Sequence, residues 1–247
     1  ILKREEPIVQ ELANEYLTEQ GITILNDITL NSVSNDGNKP VITANGQHYT
    51  FDAVLYATGR KPNTANIGLE NTDITTNERG AIVVNDTCES SVPGVYAVGD
   101  VNGGPQFTYI SLDDFRIVFG ALTGNGQYTL KDRKNIPYTT FLTPPLARVG
   151  LTEEDAINKG YTVKTKEMLV ATMPRAHVND YLKGAFKIVV NEENNLILGA
   201  TLYSQGAEEL INLIKMAMDN NIPYTYFKNQ IFTHPTMAEN LNDLCNF

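Results

Sequence analysis

Two apolar runs that end in glycine constrain this chain most: AVLYATG at 53–59 and GVYAVGD at 94–100. Runs of this length without polar alternation suit parallel strands covered on both faces. A glycine at the carboxyl end of such a strand lets a ligand or another backbone come close. The two runs therefore predict an α/β arrangement of Rossmann-like character, with binding chemistry at the ends of the strands.

The surrounding pattern extends this reading. Apolar residues at 8, 9, 12, 13, 16 and 17 have helical spacing over Pro7 to Glu19, and Gly21 follows as a stop. Glu5, Glu6 and Pro7 suit the first turn of that helix, with the acids near its positive end. ITIL at 22–25 reads as a short strand, and Asn45-Gly46 as a hairpin turn between strand-like runs. AIVVND at 81–86 is strand-like, and a helix is predicted from Thr108 to about Leu122, ended by Gly124 and Gly126. From 137 onward the pattern is a separate α+β unit. It holds a helix at Glu153 to Lys159, strands in VKTKEMLVATM and GAFKIVVNEENNLILGATLYS, a long helix in GAEELINLIKMAMDNNIP and a last short helix from about Met237.

Composition bounds the function. The chain has 247 residues, 42% hydrophobic and 19% charged, enough to build real cores. A net charge of -10 argues against a nucleic-acid surface and against an anionic membrane. No apolar run approaches the ~20 residues of a membrane span. Cys88 and Cys245 are the only cysteines, so no disulfide framework is expected and the reading is cytoplasmic. The chain opens ILKREEP without Met, and Ile1 and Leu2 read as the end of a buried strand. The expectation is a C-terminal piece of a longer chain.

Three places could carry chemistry. Asp100, after Gly99 at a strand end, could accept hydrogen bonds from sugar or ribityl hydroxyls. Eight residues on, Thr108 stands at a helix N-terminus, which favours an anionic or electron-rich partner. On spacing alone the pair is better suited to an ordinary turn with Asp as a helix cap. ATGRKPNT at 57–64 could bring backbone and one positive charge against a nucleotide, or be a plain strand exit with a surface Arg. His234 and Glu239, in FTHPTMAEN, are five residues apart across a proline, where the chain turns from loop to helix. A carboxylate beside an imidazole fixes its tautomer and raises its basicity; a satisfied loop histidine is the alternative. His48 reads as a hairpin surface residue. His177 reads as a loop residue, with substrate entry or metal binding as the alternative. No metal site is predicted.

Taken in order, ATGRKPN, GVYAVGDV with Thr108 eight residues after Asp100, Arg116 and the C-terminal FTHPTMAE resemble the C-terminal half of a flavoprotein disulfide reductase. This is the class I pyridine nucleotide-disulfide oxidoreductase family of glutathione reductase, dihydrolipoamide dehydrogenase and mercuric reductase. THPTMAENLNDL is most similar to its branch of reactive-chlorine-resistance and hypothiocyanite reductases. The resemblance covers essentially the whole chain. It implies a fold of α/β plus α+β type: partial Rossmann-like NAD(P)- and FAD-domain segments, then an α+β dimerisation domain. Residues 1–57 would belong to the NAD(P)H domain, 58–135 to the FAD domain and 136–247 to the dimerisation domain. It also implies FAD and NAD(P)H as cofactors, a homodimer, and a small-molecule or thiol/disulfide oxidant as substrate. Electrons would pass from NAD(P)H to FAD to a Cys pair and then to substrate. Asp100 and Gly99 would lie at the ribityl chain, Phe107 and Thr108 at the flavin pyrimidine edge, and Thr58, Gly59 and Arg60 along the FAD. His234, held by Glu239, would be the acid–base for thiol–disulfide exchange, delivered across the dimer.

This sequence departs from the family pattern in two ways. It contains no G-x-G-x-x-G, and Cys88 and Cys245 do not form a Cys-x-x-x-x-Cys pair. Cys88 reads as a small residue in or beside a strand. Cys245 is a poor match to the vicinal C-terminal Cys pair of mercuric reductases. Two other readings stay open: a catalytically inactive dimerisation module, and a flavoprotein oxidase without dithiol chemistry.

Overall fold

The computed structural model describes residues 1–247, which divide into two compact units. One joins Ile1–Ile28 to Asn135–Phe247, and the other is Thr29–Lys134.

The first unit is built on a five-stranded antiparallel sheet. Its strands are β4 (Tyr138–Thr140), β5 (Leu146–Gly150), β6 (Val163–Leu169), β7 (Ala185–Asn191) and β8 (Ile197–Tyr203), in the spatial order β4-β5-β8-β7-β6. Strand alternation splits its side chains between two faces. Ala147, Val149, Phe186, Ile188, Val190, Ala200 and Leu202 share one core with α5 (Ala207–Asp219), α6 (Tyr224–Asn229) and α7 (Asn240–Leu244). Leu146 and Tyr203 point the other way, against Val9, Ala13 and Tyr16 of α1 (Pro7–Glu19). Both faces are therefore covered, and β7 is buried along its whole length. The approach of α1 is close. The Gly184 N–H donates to the Tyr16 hydroxyl at 2.8 Å, and a Cβ on Gly184 would sit 1.7 Å from the Tyr203 carbonyl oxygen. Two short helices complete the unit, α3 (Glu153–Asn158) and α4 (Pro174–Val178). Asp155 and Thr152 cap α3 reciprocally.

The second unit contains a three-stranded antiparallel meander and one long helix. The strands are β1 (Leu30–Asp36), β2 (Lys39–Ala44) and β3 (Gln47–Thr50). The β2–β3 turn is Asn45-Gly46, with φ of 49° and 76°, as the paired left-handed turn of a tight hairpin requires. The helix is α2 (Thr108–Thr123), ended by Gly124 in the left-handed conformation.

The mixed α/β class and the positions of α1, α2, α3 and α5 follow the sequence reading, while α4, which carries His177, and α6 are helices where none is expected, and α7 starts at Asn240 rather than near Met237. The strands expected at 22–25, 53–59, 81–86 and 94–100 do not form ladders. Near 81–86 and 94–100 only the single bridges Thr76–Ile82 and Glu89–Tyr96 occur. Leu55 and Tyr56 are 88% and 81% exposed rather than buried on two faces. The reason is that a strand is an interaction and not a local conformation. Its N–H and C=O groups need neighbouring strands, and these runs find none in this chain.

Candidate functional site

In the second unit, the turn that carries Gly99 and Asp100 is built on a buried carboxylate that the sequence reading missed, Asp114. Gly99 opens a 3-10 turn, Gly99–Asn102, with φ of 73°. Its N–H donates to Asp114 Oδ2 at 2.7 Å, and the Asn102 amide donates to the same oxygen at 2.9 Å. Arg133 closes the cluster. Its Nη2 donates to Asp114 Oδ1 and its Nε to Asp113 Oδ2, the latter at 2.7 Å. Asp114 is fully buried, and every hydrogen bond it accepts serves the turn or the arginine. A Cβ on Gly99 would come within 2.7 Å of Ser111 Oγ, so this glycine lets the turn pack on α2. A signal for Asp114 stood in the sequence: Ile110, Asp114 and Ile117 share one helical face, and an acid on an apolar face asks for a partner.

Because Asp114 carries the structural bonds, Asp100 is left exposed on the turn. Five residues after the turn, Phe107 is the extended N-cap of α2 and Thr108 is the helix's first residue. Phe107 has no side-chain acceptor to cap the helix, so the positive end of a 16-residue helix is not capped by its own side chain. Thr58, Gly59 and Arg60 lie in an exposed irregular stretch, with Gly59 at φ 121°.

In the first unit, the chain brings His234 and Glu239 together. His234 Nδ1 lies 2.7 Å from Glu239 Oε2. The imidazole is 69% exposed and the carboxylate 19%. The bond to His234 holds the Glu239 carboxyl below its usual range, against the opposing effect of burial and with help from the Thr236 N–H. A carboxylate so held accepts, so Nδ1 is the protonated nitrogen and Nε2 is turned to the other side of the ring. The arrangement can take a proton at Nε2 and stabilise the resulting imidazolium.

The remaining candidates have structural partners. His48 Nδ1 pairs with Thr43 Oγ1 at 2.9 Å across the hairpin. His177 lies on α4, and its Nε2 donates to the Ala171 carbonyl at 2.8 Å. Both cysteines are free and buried. Burial pushes Cys88 up to about 11 and Cys245 up to about 12. No three His, Cys, Asp or Glu side chains gather as a metal-holding group.

Comparison with known proteins matches both parts of the chain to one family. Residues 1–114 match the model of the pyridine nucleotide-disulphide oxidoreductases, and residues 136–245 match the dimerisation domain of the same enzymes. The chain is 42% identical over 243 residues to the probable pyridine nucleotide-disulfide oxidoreductase RclA of Escherichia coli K12, covering 98% of this chain and 55% of that protein. It is 35% identical over 245 residues to a mercuric reductase of Staphylococcus aureus, covering 98% of this chain and 45% of that protein. A solved structure of RclA from Escherichia coli, described as a HOCl-induced flavoprotein disulfide reductase, superposes with a TM-score of 0.94 over 99% of this chain and 56% of that one. The chain thus spans about half the length of the relatives it matches. With both segments matched by models of the same enzymes, the chain belongs to the pyridine nucleotide-disulphide oxidoreductase family.

Proposed function

We propose that these residues are part of a FAD-dependent NAD(P)H:disulfide-type oxidoreductase that works as a cytoplasmic homodimer. In it, residues 1–57 belong to the NAD(P)H domain, 58–135 to the FAD domain and 136–247 to the dimerisation domain. The observation that carries the reading is the His234–Glu239 pair, with its 2.7 Å bond and exposed imidazole. A satisfied loop histidine has no need of a carboxylate held low for it. Thiol–disulfide exchange does need such a pair, because the attacking species is the thiolate. His234 takes the thiol proton at Nε2 and returns it to the departing sulfur. In the homodimer it serves the site of the other subunit.

The residues of the second unit fit FAD. Support comes from the buried Asp114, which relieves Asp100 of structural bonds, and from the positive end of α2. Gly99 and Asp100 would hold the ribityl chain, Phe107 and Thr108 the pyrimidine edge, and Thr58, Gly59 and Arg60 the rest of the dinucleotide. When bound, FAD supplies the passage of an electron pair from NAD(P)H toward the disulfide. Neither Cys88 nor Cys245 serves as the redox pair in this reading, since both thiols are buried and held protonated.

The test is His234→Gln in the full-length protein. Turnover with a disulfide or other thiol-exchanging acceptor is expected to fall about 10²–10⁴-fold, the range of general acid–base catalysis. Flavin reduction by NAD(P)H, followed by stopped-flow absorbance, is expected to keep its rate. Unchanged turnover would overturn the assignment.

A further inference from the structure

The bond between His234 and Glu239 uses only one carboxylate oxygen, and the other is engaged as well. Glu239 Oε1 accepts the Thr236 N–H at 3.1 Å. In return, Thr236 Oγ1 accepts the Glu239 N–H at 3.3 Å. This reciprocal pair, three residues apart, is a capping box. The same hydroxyl also donates to the Thr233 carbonyl at 2.8 Å, closing the turn that contains His234.

The chain has two other boxes of this kind, and they show what is different here. Thr152 and Asp155 cap α3, and Thr129 and Asp132 cap the 3-10 turn Leu130–Asp132. At Asp132, one oxygen takes both the N–H and the hydroxyl of Thr129, and the box is an end in itself. At Glu239 the longer side chain divides its oxygens, one for the box and one for the imidazole. The turn is further anchored from behind. The Asn242 amide donates to the carbonyls of Phe227 and Gln230 at 2.6 and 2.9 Å, and the Asn240 amide donates to Thr236 and Met237 at 3.3 and 3.1 Å.

We infer that Thr236 is a positioning residue for His234: its capping box with Glu239 orients the carboxylate so that the imidazole is kept as the Nδ1–H tautomer with Nε2 available. Without the hydroxyl, the Glu239 backbone loses its acceptor and the Thr233–Thr236 turn loses its closure. The carboxylate keeps the Thr236 N–H on Oε1, but it hangs from a looser backbone, its hold on Nδ1 weakens, and the imidazole shifts toward its Nε2–H form. That form presents a donor where the exchange reaction needs an acceptor. The inference deepens the acid–base reading of His234 and rests on it for its functional consequence, but not for its structural one.

The experiment is ¹⁵N NMR of the full-length protein with labelled histidine, at a pH where the rings are neutral, with the His234 signals identified by their loss in His234→Gln. The wild type is expected to show His234 mainly as the Nδ1–H tautomer. Thr236→Val is expected to move the tautomer ratio about fivefold toward Nε2–H, the equivalent of one net hydrogen bond. Thr236→Ser keeps the hydroxyl and is expected to restore the wild-type ratio. Asn242→Ala loosens the α7 anchorage without touching the box and is expected to leave the ratio alone. An unchanged ratio in Thr236→Val overturns the inference, as does an equal shift in Asn242→Ala. If the ratio shifts while disulfide turnover stays at the wild-type level, the positioning stands and the acid–base reading of His234 falls.

Discussion

Burial decides the chemistry of both thiols in this chain. Cys245 has no exposed surface and lies among the side chains that α7 presents to the sheet. Desolvation penalises its thiolate and pushes it up to about 12, against a small opposing pull from Lys166. At pH 8 its thiolate population is about one part in ten thousand. Cys88, also fully buried, is pushed up to about 11, first by burial and then by Asp114, with Arg133 opposing. The sign is plain: a raised thiol pKa means less nucleophile at every working pH. Iodoacetamide at pH 8 is therefore expected to leave both cysteines unmodified in the native protein, by peptide mass spectrometry, and to label both in 6 M guanidinium. Labelling of either at native conditions, as fast as a free thiol, would contradict the burial argument. At the same scale, the His234–Glu239 pair is legible in the sequence because a proline turn before a helix brings a carboxylate back over the ring. The T-x-x-E signature of the capping box stands in the same nine residues. Reading Glu239 only as the partner of an imidazole hides it, because each carboxylate has two oxygens and spacing names one partner.

At the scale of elements, the order across the sheet explains why helix α1 docks where it does. Glu167, Lys187, Thr201, Arg148 and Tyr138 are cross-strand partners in one row running through all five strands. The row faces α1. Glu6 and Glu153 reach Lys187 at 3.0 and 2.7 Å, with Glu167 at 3.0 Å, while Glu5 accepts from the Tyr138 hydroxyl at 2.5 Å. Burial alone would lower the Lys187 pKa, yet the carboxylates outweigh it and hold it raised. Lys187→Met is expected to cost about 3–5 kcal/mol in urea unfolding, because it leaves Glu6 as a buried charge without its cation. Glu6→Gln leaves Lys187 two other carboxylates and is expected to cost about 1–3 kcal/mol. Equal costs would mean that Lys187 is not the centre of the network. None of this row can be read from the chain alone, since strand register decides who stands opposite whom. The longer helices were legible because their signals are local: periodicity, Gly124 and the Asn220–Asn221 stop. The runs at 53–59 and 94–100 were not, because an apolar run records burial in a partner sheet and carries no information on where that sheet comes from.

At the scale of the molecule, the sheet unit is assembled from two stretches far apart in sequence, Ile1–Ile28 and Asn135–Phe247. The family's dimerisation model matches only 136–245 of it. The physical boundary and the family boundary therefore differ, and the difference has a consequence. A chain of residues 136–247 alone would expose Leu146 and Tyr203, which are now buried against Val9, Ala13 and Tyr16. It would also leave Arg148 and Lys187 without Glu5 and Glu6. Fully burying a large apolar side chain is worth about 1.5–3 kcal/mol, and a domain has only about 5–15 kcal/mol in hand. Loss of α1 would thus remove a large share of the stability of the whole unit. Residues 136–247 are expected to melt well below the 247-residue chain, by calorimetry, or to show no cooperative transition. A peptide of residues 1–28 added in trans is expected to raise that melting temperature, and more so as its concentration rises, because it binds only the folded sheet. The same peptide carrying Tyr16→Ala and Glu6→Gln is expected to do so weakly or not at all. If residues 136–247 melt at the same temperature with and without the peptide, and as high as the longer chain, then α1 is a passenger on the sheet and the unit ends where the family model ends.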